Sequence, residues 1–164
     1  GLSKAFAMTG WRLGYMGASL AVAKACDKMQ GQFTSATCSI AQRAAIAALD
    51  SPLTTTMTMK ADFQKRRDLV YELIKEIPGF ITNKPAGAFY FFPDVTYYFG
   101  KKHAGGTINN AEDLCMYLLT EANVAVVSGD SFGSPNNIRF SYATTEENLR
   151  IAMQRIKVEL AKLV

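Results

Sequence analysis

Histidine occurs once in this chain, as His103, and cysteine three times, as Cys26, Cys38 and Cys115. A zinc-hydrolase helix needs two histidines, and His103 lies in a glycine-rich stretch, HAGGT, with no clear nucleophile beside it, so histidine-based hydrolysis is poorly supported. The cysteines are odd in number and widely spaced, with no C-x-x-C pair, and read as idle or buried thiols of a reducing cytosol rather than as a metal site. No apolar run approaches the roughly 18 residues that cross a bilayer. The first residues lack the basic-then-apolar order of a signal peptide. A concentrated positive stripe is missing too: the net charge is +4 and the basic residues are scattered among acidic ones, which argues against nucleic acid as a partner. No internal repeat stands out, and the one biased segment is the short LTTTMTM run at 53–59.

What the sequence does have is the balance of a folded protein. Hydrophobic residues make up 49% and charged residues 20%, values that support a real core over 164 residues. Residues 11–18, WRLGYMGA, read as a short strand, after which Ser19 is placed to cap a helix through about Met29. A second helix is expected over 39–49 and stopped near Ser51-Pro52. A longer one is expected from about Thr54 to Glu76, with Phe63, Val70, Ile74 and Ile77 on one face and Pro78-Gly79 at its end. The aromatic run GAFYFFPDV at 87–95 reads as a buried strand closed by Pro93. Residues 101–109 read as a loop, and Asn110 as the cap of a helix to about Ala122, with Leu114, Tyr117 and Leu118 inward.

Beyond that helix the pattern gives a strand at NVAVVS, a glycine-rich loop GDSFGSPNN, a strand at IRFSYA and a terminal helix. Thr144 with Glu147 forms a capping box there, and Leu149, Met153, Ile156, Leu160 and Leu163 recur at helical spacing. The order strand, helix, strand, strand, helix from residue 80 onward suits a small two-layer α+β domain. Residues 1–50 carry too little to cover their own apolar surface and belong to something larger, with 51–79 as the helix between the two parts.

Three stretches carry chemistry. The first, Ser3-Lys4-Ala5-Phe6-Ala7-Met8-Thr9-Gly10-Trp11-Arg12, places an amine eight residues before a guanidinium. Fully extended, those residues would separate the two groups by roughly 27 Å, so joint action requires the chain to fold back, and Thr9-Gly10 is where it can turn. A lysine taken alone is most economically a solvated surface residue. The second stretch is Asn137-Ile138-Arg139-Phe140-Ser141-Tyr142-Ala143, where a strand would turn Ile138, Phe140 and Tyr142 to one face and Arg139 and Ser141 to the other. By pattern alone that is a sheet with one apolar and one wet face. The third, Pro85-Ala86-Gly87-Ala88-Phe89-Tyr90, reads first as close backbone approach at Gly87 and core filling by Phe89 and Tyr90.

Together, in this order and spacing, the three stretches resemble the class I aminotransferases that use pyridoxal phosphate, most nearly the bacterial aspartate aminotransferase branch. The resemblance implies an α/β and α+β architecture: 1–50 as the carboxyl-terminal remnant of the large cofactor-binding domain, 51–79 as an interdomain helix and 80–164 as the small α+β domain. It implies Lys4 as the residue that condenses with pyridoxal 5'-phosphate and serves as general acid and base, Arg12 as the phosphate anchor, and Arg139 as the clamp on the substrate's α-carboxylate. Amino acids and 2-oxo acids are the implied substrates, with a cytoplasmic homodimer as parent and no metal, nucleic acid or membrane partner. The large domain of such enzymes lies mostly before the lysine, so Gly1 is expected to be a break within a longer chain, and the 164 residues alone are expected to be inactive. Aromatic, kynurenine-type or other amino acid donors share the same motifs and stay open as alternatives to aspartate. A non-catalytic binding or assembly module is a further alternative.

Overall fold

The computed structural model describes all 164 residues, Gly1–Val164. The chain divides into two compact units, Gly1–Lys60 and Ala61–Val164. The first unit is helical. A four-residue helix α1 (Leu2–Ala5) is followed by a 3-10 turn at Thr9–Trp11, then by α2 (Leu20–Phe33), α3 (Ser39–Asp50) and the start of α4 (Thr54–Lys75). The expected strand over 11–18 does not form. Its neighbours offer no strand edge to pair with, and a strand of a few residues gains nothing from an extended course without a ladder. Helix α2 runs past Met29 to Phe33, and Ser19 sits at its cap without a side-chain bond.

The core of this unit is small: Leu2, Met8 and Ala45 are buried, with Phe6, Leu13, Ala44 and Ala48 packed against them. No residue of α2 is buried, and Leu20, Phe33 and Ile40 remain exposed. Such an apolar excess on the surface is what the composition of residues 1–50 leads one to expect.

The second unit owns the larger core. Strands β1 (Tyr90–Phe91), β4 (Val127–Ser128) and β5 (Ile138–Ser141) form an antiparallel sheet in the order β1-β5-β4, with Tyr90 opposite Ser141, Phe91 opposite Phe140 and Val127 opposite Arg139. Between β1 and β4 lie a hairpin, β2 (Lys102–His103) with β3 (Gly106–Thr107), and helix α5 (Ala111–Thr120). Helix α6 (Glu146–Leu160) closes the chain. The apolar stripes expected from helical spacing meet as predicted: Val70 and Ile74 of α4, Leu114 and Leu118 of α5, and Leu149, Met153, Ile156 and Leu160 of α6 share one cluster with Phe91, Ile138, Phe140 and Tyr142.

Several local readings change. The expected loop at 101–109 contains the hairpin, and the chain's last residue pairs with it through Lys102 N–H to Val164 O (2.7 Å) and Val164 N–H to Lys102 O (3.2 Å). The run 87–95 is paired in ladder form only at Tyr90–Phe91. Pro93 has no N–H to give, so beyond it the ladder is interrupted and contact resumes as single bridges of Asp94 with Ile81 and with Asn137. Asn110 caps α5 as expected, its side chain accepting from Asp113 N–H at 2.9 Å. The cap of α6 is Thr145 rather than Thr144: Thr145 takes the extended backbone that a cap requires and accepts from Asn148 N–H, while Thr144 receives only the Asn148 side-chain amide.

Candidate functional site

In the first unit the segment Lys4–Arg12 turns back on itself instead of running extended. Helix α1 ends one residue beyond Lys4, and Ala7 N–H returns to the Lys4 carbonyl at 3.2 Å. The turn falls at Thr9-Gly10 as expected, but it needs no left-handed glycine. Residues 9–11 form a right-handed 3-10 turn that any residue accepts, and the left-handed backbone falls on the flanking Ala7 (φ 53°) and Arg12 (φ 52°). Such conformations cost about 1–2 kcal/mol each in residues with a Cβ. Two bonds hold the segment: Thr9 Oγ1 donates to Ser3 O at 2.8 Å, and Arg12 Nη1 donates to Thr9 O at 3.1 Å. Thr9 therefore ties the arginine's turn to the residue next to Lys4. A further bond, Thr56 Oγ1 to Ala5 O at 2.9 Å, joins α1 to the start of α4. Lys4 and Arg12 are both exposed in this chain.

In the second unit Arg139 occupies the centre of β5, half-buried, on the face that it shares with Ser141. Ile138 and Phe140 are buried on the opposite face, as alternation predicts. The guanidinium carbon lies 4.4 Å from the ring centre of Tyr90 and 4.4 Å from that of Phe132. Tyr90 reaches it as the diagonal neighbour of the Tyr90–Ser141 pair. Phe132 ends a 3-10 turn, Gly129–Phe132, that follows β4 directly.

The loop carrying Phe132 is closely fitted. Gly129 N–H donates to Asn137 O (2.7 Å), Ser134 N–H donates to Gly129 O (3.0 Å), and Gly133 takes a left-handed φ of 72° to end the turn. The buried Ser128 hydroxyl accepts from Asp130 N–H, and Phe92 meets Phe132 edge to face with ring centres 6.1 Å apart. The strand carrying Tyr90 is held as firmly: Tyr142 N–H donates to Phe89 O (3.0 Å) and the Tyr142 hydroxyl to Ala88 O (2.9 Å). Upstream, Arg67 of α4 donates to Pro85 O and, with Lys84, grips the Asp68 carboxylate at 2.8 and 2.9 Å. Lys84 and Arg67 hold the Asp68 carboxyl below its ordinary range. Sequence reasoning placed Tyr90 in a core and passed over Phe132. The signal that could have found them is the alternation along β5 combined with an aromatic residue in a glycine-rich loop ahead of it.

No cluster of histidine, cysteine or acidic groups is arranged to hold a metal ion, and no helix is long and apolar enough to cross a membrane. Cys26 and Cys38 are exposed and Cys115 is buried, none in a disulfide.

Residues 1–156 match the model of the family described as aminotransferase class I and II. The bifunctional aspartate aminotransferase and glutamate/aspartate-prephenate aminotransferase of Petunia hybrida is 47% identical, over 99% of this chain and 35% of that protein. The aspartate/prephenate aminotransferase of Cereibacter sphaeroides is 45% identical, over 99% of this chain and 41% of that protein. Among solved structures, the aspartate aminotransferase from Rhizobium meliloti superposes with a TM-score of 0.95 at 42% identity, covering 100% of this chain and 41% of that one. The chain thus spans about two fifths of the length of the proteins it matches.

Proposed function

Because the chain belongs to the class I and II aminotransferase family, we propose that it forms part of a pyridoxal-phosphate enzyme that transfers an amino group from L-aspartate to a 2-oxo acid. The observation that carries this reading is the folded-back Lys4–Arg12 segment, in which two left-handed residues and the Thr9 bonds link the ends of a lysine-to-arginine stretch. The donor set fits such a cofactor: a primary amine for its aldehyde and a planar guanidinium for its phosphate. When bound, pyridoxal phosphate supplies the electron sink that stabilises charge on the substrate's α-carbon.

Lys4 would hold that cofactor through Nζ and would act as the general acid and base that takes and returns the α-proton. Arg12 would bind the phosphate through its planar guanidinium fork. Arg139 grips the α-carboxylate and so fixes where the α-proton points. Residues 1–50 belong in this reading to the large cofactor-binding domain, 51–79 to the interdomain helix and 80–164 to the small domain. A homodimeric, cytoplasmic parent completes it.

The names of the Petunia and Cereibacter relatives support prephenate beside simpler 2-oxo acids as an acceptor. Steady-state rates of the full-length enzyme with aspartate, phenylalanine and kynurenine as donors, and with prephenate and a simple 2-oxo dicarboxylate as acceptors, define the pair. Lys4→Ala in the same enzyme abolishes the visible absorbance of the protein-linked cofactor and nearly all turnover. Turnover at the parental rate would overturn the lysine assignment.

A further inference from the structure

Arg139 is the one arginine of β5, and its guanidinium makes neither a hydrogen bond nor an ion pair with any other group of the chain. Half-buried positive charge without a carboxylate partner is expensive unless something else steadies it. Here the steadying groups are two aromatic faces at equal distance, Tyr90 and Phe132, each 4.4 Å from the guanidinium carbon. We propose that Tyr90 and Phe132 are positioning residues that sandwich Arg139 and leave the edge of its guanidinium as the open docking line for a planar carboxylate.

The geometry gives each ring a distinct task. A guanidinium attracts π faces above and below its plane and donates hydrogen bonds only within its plane. In the proposed sandwich both guanidinium faces lie against rings, so the in-plane N–H groups stay unspent, and a side chain with several rotatable bonds is fixed before the ligand arrives, with less ordering entropy lost on binding. A carboxylate meets those donors as a bidentate, coplanar pair. Acidic protein side chains, which would otherwise neutralise the arginine and compete with the ligand, are absent from its ion-pair range.

Both rings are themselves held. Tyr90 lies on β1, fixed in register against Ser141 and backed by the Phe89 ring at 4.5 Å. Phe132 is braced by Phe92 and by the turn that Gly129 allows to tuck against the Asn137 carbonyl. The sandwich also joins the two segments flanking β5, one from each side of the sheet order β1-β5-β4. Phe132 nevertheless stays 48% exposed, so the loop ring is the wetter of the two walls.

This inference rests on the reading of Arg139 as the α-carboxylate anchor. The test uses the cofactor-loaded full-length enzyme and follows KM and kcat for the amino acid donor. Phe132→Leu and Tyr90→Leu each keep an apolar side chain but remove the π face, and each raises KM about fivefold while moving kcat much less. Tyr90→Phe recovers most of the affinity lost in Tyr90→Leu, since the face and not the hydroxyl does the holding. Arg139→Ala is the control: a large rise in KM there together with unaltered KM in both leucine variants overturns the sandwich and leaves the anchor standing. Unaltered KM in Arg139→Ala overturns the anchor itself. If Tyr90→Phe is as impaired as Tyr90→Leu, the hydroxyl is the active group and the proposal fails for Tyr90. Circular dichroism of each variant separates loss of fold from loss of positioning, because a misfolded variant loses kcat as well.

Discussion

Replacing Gly129 by alanine should be among the most damaging single-methyl additions in the second unit. A Cβ at this position would overlap the Ser134 carbonyl oxygen and lie 2.6 Å from the Asn137 carbonyl oxygen, both backbone atoms. A comfortable carbon–oxygen approach is about 3.3 Å, so the Asn137 side of the turn would have to retreat by about 0.7 Å. That retreat strains or breaks the Gly129 N–H to Asn137 O and Ser134 N–H to Gly129 O bonds. Two weakened hydrogen bonds at roughly 0.5–1.5 kcal/mol each, with about 1–3 kcal/mol of overpacking, give a loss of about 2–6 kcal/mol.

Two further glycines calibrate that figure. Gly133 has open space around it but a left-handed φ of 72°, so Gly133→Ala should cost about 1 kcal/mol through backbone strain alone. Gly87 has neither a neighbour within 4 Å nor a left-handed φ, and Gly87→Ala should move stability by less than about 0.5 kcal/mol. Urea unfolding of the three variants beside the parent chain, with midpoints compared at a common m-value, reads all of these. A Gly129→Ala midpoint no lower than that of Gly133→Ala would refute the reasoning, because the backbone clash would then be relieved at no cost. The same variant displaces the turn that ends in Phe132, so a rise in donor KM should accompany the loss of stability.

Two other expectations concern buried groups. Tyr98, whose hydroxyl donates to the Pro78 carbonyl, is pushed up to about 12 by burial. Its neutral form is therefore favoured in the folded state, and the stability it contributes is intact below pH 10 and is lost as pH rises from about 10 through 12, on the order of 2–3 kcal/mol. Tyr98→Phe should flatten that alkaline limb of a stability-versus-pH curve while losing about 1 kcal/mol at neutral pH through the abandoned carbonyl. Among the thiols, Cys38 sits exposed at the start of α3, where the Ala41 and Ile40 N–H groups draw its thiol below the ordinary value, whereas burial raises Cys115 to about 12. A thiol reagent should label Cys38 first, and Cys115 only after denaturant is added. Fast labelling of Cys115 in the folded chain would contradict its placement in the core.

The apolar spacing along the helices was readable because it is local. Val70 and Ile74, Leu114 and Leu118, and Leu149, Met153, Ile156 and Leu160 declare a buried face through period alone, and each takes its place in the same core. Lys4, Arg12 and Arg139 are proposed from the sequence for another reason, since the residue types and their order match the family's motifs. Strand ends and turns were the least legible. A strand exists only when a partner lies alongside, so WRLGYMGA stays unpaired while the glycine-rich stretch near His103 forms a hairpin.

By itself, then, the sequence determined the helices and the two faces of β5, because these depend on neighbours one to four residues away. Only the tertiary structure decided that the left-handed residues would be Ala7 and Arg12 and not Gly10, that Thr145 and not Thr144 would cap α6, and that the Arg139 guanidinium would come within 4.4 Å of the ring centres of both Tyr90 and Phe132. Those ring partners stand 49 and 7 residues from the arginine (139 − 90 and 139 − 132), and it is the antiparallel register and the fit of the turn at Gly129 that bring their faces to it.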